Sequence, residues 1–215
     1  MNDATTRRSA LVGAGVLLLH LGGTGPVSSA AEAVSQSEVA YRSGKAATSD
    51  QERRRHYQRG IDSARGVLSQ TPDSPSALLW LAANLAGEAL SHGRIFALRV
   101  IPEIESTLLR LEETNPGYDH GAAARALGNL YWQAPALISV GSSRKAARYF
   151  QLAIERAPDF PGNQAMAAAF FADRGDCERS RSLALAVSTR ADLDAFGPDA
   201  AEWRQLARGA LDDCG

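Results

Sequence analysis

Three proline-centred breaks constrain this chain more than any other feature. Thr71-Pro72-Asp73, Asn115-Pro116-Gly117 and Ala157-Pro158-Asp159 recur at a period of roughly forty residues. Proline lacks the amide N–H of a helix interior and disfavours helical backbone in the residue before it, so each break ends one helix. From Ala31 onward the apolar residues follow the helical period in stretches rich in Ala, Leu, Arg and Glu. No run of alternating Val, Ile and Thr supports a sheet. The pattern predicts helices over 34–47, 51–70, 75–92, 94–114, 119–133, 143–157, 161–174, 177–190 and 199–213. Helix pairs at a fixed period cannot bury their apolar faces alone and must stack, so the expected fold is an all-α solenoid.

Start signals support several of these helices. Ser74-Pro75 places an N-cap ahead of a proline at the first helical position, and Asp199-x-x-Glu202 reads as a capping box. The third unit is the most legible. Leu127-Gly128-x-x-Tyr131 supplies a large, small, large series, and Ala146-x-x-x-Phe150-x-x-Ala153-x-x-x-x-Pro158 supplies small, large, small and stop. A small residue lets two helices approach while the aromatic fills the groove beside it. This spacing resembles the tetratricopeptide repeat. The fourth unit is similar, with Ala168, Phe171 and Ser180; the first is weaker, with Gly60 and Pro72 in register. The second is degenerate and interrupted by Pro102. About four tetratricopeptide-like pairs result, with 199–213 as a C-terminal capping helix.

Residues 1–30 read as a cleaved signal peptide, which leaves 31–215 as the repeat domain. Arg7-Arg8 precedes an apolar run from Ala10 to Gly22, too short for a bilayer span of about 20 residues. Val27-Ser28-Ser29-Ala30 then gives small residues at a cleavage site. Ala10 stands where a twin-arginine signal usually has Phe, which favours ordinary secretion over that route. No cysteine lies near the cleavage point, so a lipoprotein anchor is not expected.

Composition narrows the function classes. Lys+Arg 23 against Asp+Glu 24 gives a formal charge of −1, with no chain-wide attraction for nucleic acid. His56, His92 and His120 fall in different units without metal-ligand spacing, and no nucleophile motif is present. Neither catalysis, a metal nor a cofactor is expected.

A more particular resemblance covers about residues 91–175. It is carried by S-H-G-R-I-F-A-L-R-V-I-P-E-I-E from Ser91, by N-P-G-Y-D-H-G-A-A-A-R-A-L-G-N-L-Y-W-Q-A-P, and by A-L-I-S-V-G-S-S-R-K-A-A-R-Y-F. These segments resemble the exported helical T components of TRAP-type solute transporters; Tyr118-Asp119, Arg125 and the loop from Gln133 to Ser143 are the distinguishing items. The resemblance implies a periplasmic accessory protein that binds a solute-binding partner and forms a homo-oligomer. The absent lipoprotein cysteine departs from that pattern. The alternative is an envelope-assembly or stress scaffold with an unrelated protein partner.

The loop between the third unit's helices is longer than the repeat consensus. Loops on rigid scaffolds carry binding groups, so Pro135, Leu137, Ile138, Ser139, Gly141 and Arg144 are candidate partner or ligand contacts, with Trp132 just before them. Leu137, Ile138 and Val140 must bury against the array, a partner or a ligand. Gly141-Ser142-Ser143-Arg144-Lys145 offers an anion site or, more simply, an N-cap at Ser142. Asp119 suits a helix N-terminus, and Arg125 pairs with Asp119 or a Glu, or else faces a partner. Trp80 and Trp203 read as core. Cys177 and Cys214 bond to each other in an oxidising compartment; free thiols or an intermolecular link are the alternatives.

Overall fold

A computed structural model describes residues 26–215, with side chains from Ser29 onward. The basic and apolar parts of the expected leader lie outside the described residues. Helices run over Pro26–Ala46 (α1), Asp50–Leu68 (α2), Pro75–His92 (α3), Arg94–Thr114 (α4), Ala122–Gln133 (α5), Ser143–Arg156 (α6), Pro161–Asp173 (α7), Cys177–Ser188 (α8) and Ala200–Asp213 (α9). Single 3₁₀ turns cover Tyr118–His120 and Leu193–Phe196, and no strand occurs among the described residues. α1 passes through Ala30 without a break.

Local chemistry sets many of these limits. The side chains of Ser49, Ser142 and Asp176 accept from the backbone N–H three residues on, capping α2, α6 and α8. Pro75 and Pro161 sit in the first turns of α3 and α7, where a missing N–H costs no helical bond. Three expectations are corrected. The helix expected from Asp119 begins at Ala122, because Asp119 (φ 45°), His120 (φ 59°) and Gly121 (φ 76°) are left-handed in succession. Pro102 does not interrupt α4, which continues through it. The Asp199 side chain makes no cap hydrogen bond; its carboxylate instead lies 3.5 Å from Lys45 and 3.9 Å from Arg42 of α1.

Neighbouring helices pack in sequence order. The first helices of successive pairs also meet, α1 with α3, α5 with α7 and α7 with α9, whereas α3 and α5 hardly touch. One core gathers Ile61, Leu85, Leu127, Phe150 and Phe170, and a second gathers Phe160, Val187, Leu193 and Trp203. Trp80 is half-buried, with Tyr41 at 5.7 Å between ring centroids. α9 closes the end of the array against α7 and α8. Cys177 at the start of α8 is disulfide-bonded to Cys214 just past α9, with Cα atoms 5.3 Å apart.

Candidate functional site

Residues 134–142 leave α5 and return to its end. The Ser142 amide donates to the Tyr131 carbonyl at 2.8 Å, closing the base of the loop. Gly141 leaves no room for a side chain, since a Cβ there would stand 1.9 Å from the Ala134 carbonyl oxygen. Val140 is half-buried against the core. Leu137 and Ile138 do not fold back and are 99% and 68% exposed. The loop is thus clamped at its base and apolar at its tip. Ser139 is half-buried, while Pro135 and Arg144 are exposed.

Pro135 and Ile138 help to line a groove of about 870 Å³ between α3, α4 and α5. Its other walls include Leu90, Arg94, Ile101 and Leu130. The groove exists because α3 and α5 stand apart, which uncovers the face of α4 between them.

Trp132 belongs to a different cavity. It walls a space of about 540 Å³ between α5, α7 and α9, with Asp173, Glu202, Gln205, Gly209 and Asp213. Its indole Nε1 donates to Asp173 Oδ2 at 3.0 Å, which fixes the ring plane. The ring also meets Phe150 and Phe170 edge-on, at centroid distances of 6.4 and 6.0 Å. Glu202 pairs with Lys45 Nζ at 2.6 Å, so α1 reaches α9 at the border of this cavity. Three carboxylates and no basic side chain line it. A cation with an apolar body suits such a wall through charge and through the ring face.

Asp119 and Arg125 form a third group. Arg125 Nη2 lies 3.4 Å from Asp119 Oδ2, and its Nη1 donates to Asn163 Oδ1 at 2.9 Å. The guanidinium sits 4.9 Å from the centre of the Phe160 ring, and His120 stacks on the same ring at 4.3 Å. Asn163 in turn donates to the carbonyls of His120 and Ala153, at 3.0 and 2.7 Å. Burial pushes the Arg125 pKa below its ordinary value, and the Asp119 charge opposes that shift. These contacts brace the left-handed turn against α7. Asp119 itself remains half-exposed.

The expected site residues therefore separate into the loop with its groove, the Trp132 cavity and the Arg125 brace. Sequence reasoning missed the partners: Asp173 beneath Trp132, Asn163 beside Arg125, and Lys45 opposite Glu202. Asn163 had a signal, a short amide in the first turn of an Ala- and Phe-rich helix. The other two join distant parts of the chain and had none. Among the described residues no group of three or more His, Cys, Asp or Glu could hold a metal ion, and no helix is long and apolar enough to cross a membrane. No protein-family model and no curated protein sequence matches the chain.

Proposed function

We propose that this chain is an exported protein-interaction scaffold of tetratricopeptide-like pairs, capped by α9 and working without a catalytic step. The more specific form is a T-like accessory component that docks a periplasmic solute-binding protein of a TRAP-type transporter. That form rests on the resemblance over about residues 91–175.

The observation that carries the docking role is Trp132 on the wall of an open, carboxylate-bordered cavity. Tryptophan in a pocket that closes on binding is the commonest kind of interface hot spot. Its hydrogen bond to Asp173 holds the ring in place before the partner arrives, which lowers the ordering cost of association. With Glu202 already paired to Lys45, the adjacent charges of Asp173 and Asp213 select a partner segment that brings a basic side chain to the ring.

Affinity capture of the tagged chain, cross-linked in its native envelope, tests this directly. Recovery of an extracytoplasmic solute-binding protein is expected, with affinity reduced by about thirtyfold in Trp132→Ala, a hot-spot loss of ~2 kcal/mol. Recovery of assembly factors instead would leave a scaffold with an unrelated partner. Unchanged affinity in Trp132→Ala would remove the cavity from the docking surface.

A further inference from the structure

The four most exposed large apolar side chains among the described residues share one edge of the array. They are Leu137 (99%), Leu90 (86%), Ile95 (76%) and Ile138 (68%). Leu90 closes α3 and Ile95 opens α4, one on each side of Gly93; Leu137 and Ile138 form the tip of the next connection. The two connections are neighbours, because Leu90, Arg94 and Ile138 line the same groove. A soluble helical array has no folding reason to gather its most exposed apolar groups at adjacent tips.

Two unpaired cations flank these tips, while the carboxylates of Glu88, Asp50 and Glu52 at the same end are each paired with a neighbouring basic side chain. Arg94 lies between Leu90 and Ile95, and Arg144 follows the loop tip at the start of α6. Neither is ion-paired among the described residues, and Arg94 is the only charged side chain lining the groove. With a chain-wide charge of −1, attraction to an anionic surface has to come from such a local patch.

We infer that this edge, with Leu137, Ile138, Leu90 and Ile95 as apolar tips and Arg94 and Arg144 as flanking cations, docks reversibly on an anionic lipid surface. Leu90 and Ile138 rim the groove yet stay 86% and 68% exposed, and Leu137 and Ile95 lie outside it, so this apolar surface faces outward rather than into a cleft. That is the arrangement that enters the headgroup boundary while arginines hold the phosphates. The loop is already clamped by Gly141 and by the Ser142–Tyr131 hydrogen bond, so docking does not require it to order. This surface is separate from the Trp132 cavity and does not depend on the transporter reading.

Sedimentation of the full chain with phosphatidylglycerol-containing vesicles, and with phosphatidylcholine vesicles, tests the inference. At low salt the protein partitions onto the anionic vesicles and is released as salt screens the arginines. Replacing Leu137→Ser with Ile138→Ser lowers that partition constant at least tenfold without changing thermal unfolding. Arg94→Gln with Arg144→Gln lowers the preference for anionic over neutral vesicles to what Arg7 and Arg8 of the expected leader contribute. The apolar segment from Ala10 to Gly22 is present in every variant, so the differences report on the edge alone. Equal partition of wild type and the double-serine variant overturns the inference, as does the absence of any anionic preference in the wild type. Trp132→Ala leaves vesicle binding unchanged, which separates this surface from partner docking.

Discussion

A Cβ at position 128 would lie 2.8 Å from Cδ1 of Phe150, so α5 and α6 meet over a glycine that the ring requires. Phe150 is fully buried and has no free space on its other side, where Phe170 lies 5.3 Å away between ring centroids. Gly128→Ala gains about 1 kcal/mol of helix propensity. It also overpacks the core at a cost of roughly 1–3 kcal/mol. We expect a net loss near 1 kcal/mol, seen as a melting temperature lower by ~2–4 °C. Adding Phe150→Leu should lower stability less in the alanine background than in the wild type. Additive effects of the two changes would mean that the contact is not tight.

The Cys177–Cys214 bond closes a chain separation of 37 residues and ties the end of α9 to the start of α8. Cross-linking a segment of that length restricts the unfolded chain and is worth ~2–4 kcal/mol. The urea midpoint of the wild type should fall on adding reductant. The Cys177→Ser, Cys214→Ser variant should start at the lower midpoint and ignore reductant. Two thiols that label readily in freshly prepared native protein would contradict this.

Tyr131 ties its phenol to the middle of the array. Its hydroxyl donates to Glu105 Oε1 at 2.7 Å, and Lys145 sits 3.6 Å from that carboxylate. Burial, then the hydrogen bond to Glu105 and the Glu105 charge, push the phenol pKa above its ordinary value. The fold therefore prefers the neutral phenol. That contribution is full below the unfolded value of about 10 and is lost as pH rises past it. Stability measured by urea titration should decline above that pH. Tyr131→Phe should flatten the decline and cost about 1 kcal/mol at neutral pH. Tyr41, Tyr57 and Tyr118 are also raised by burial and supply the remaining slope. An unaltered slope in the variant would count against the assignment.

Much of the helix order was legible because it depends on local signals. Proline breaks and the Ser142 cap act within a turn of where they occur, and the Gly128–Phe150 contact joins two helices adjacent in the chain. What failed was the choice between two local uses of one side chain. Asp199 and Glu202 have the spacing of a capping box, yet both turn to Lys45, well over a hundred residues away. Asp119 fits a helix start, yet it lies in a left-handed turn held by Asn163 and Phe160 of another unit. The candidate sites were half-visible for the same reason. Loop length marked residues 133–143, but the separation of α3 from α5, which opens the groove, is a property of the stack. No single repeat encodes it.

Gly141 and Gly209 test how far the loop is a clamped element rather than a flexible tether. A Cβ at Gly141 collides with the Ala134 carbonyl, while one at Gly209 meets nothing within 4 Å. Gly209 lies in the interior of α9, so Gly209→Ala should stabilise the protein by ~0.5–1 kcal/mol through helix propensity alone. Gly141→Ala has to push the base of the loop apart. It breaks the Ser142–Tyr131 hydrogen bond and disturbs the Ser142 cap of α6, a loss of about 1 kcal/mol. Limited proteolysis distinguishes the two cases. Cleavage between 134 and 140 should accelerate manyfold in Gly141→Ala while the rest of the chain stays resistant, because only local opening is needed. Equal cleavage rates in wild type and Gly141→Ala would show that the loop opens freely without the substitution, and that its exposed tip is not preorganised for any surface.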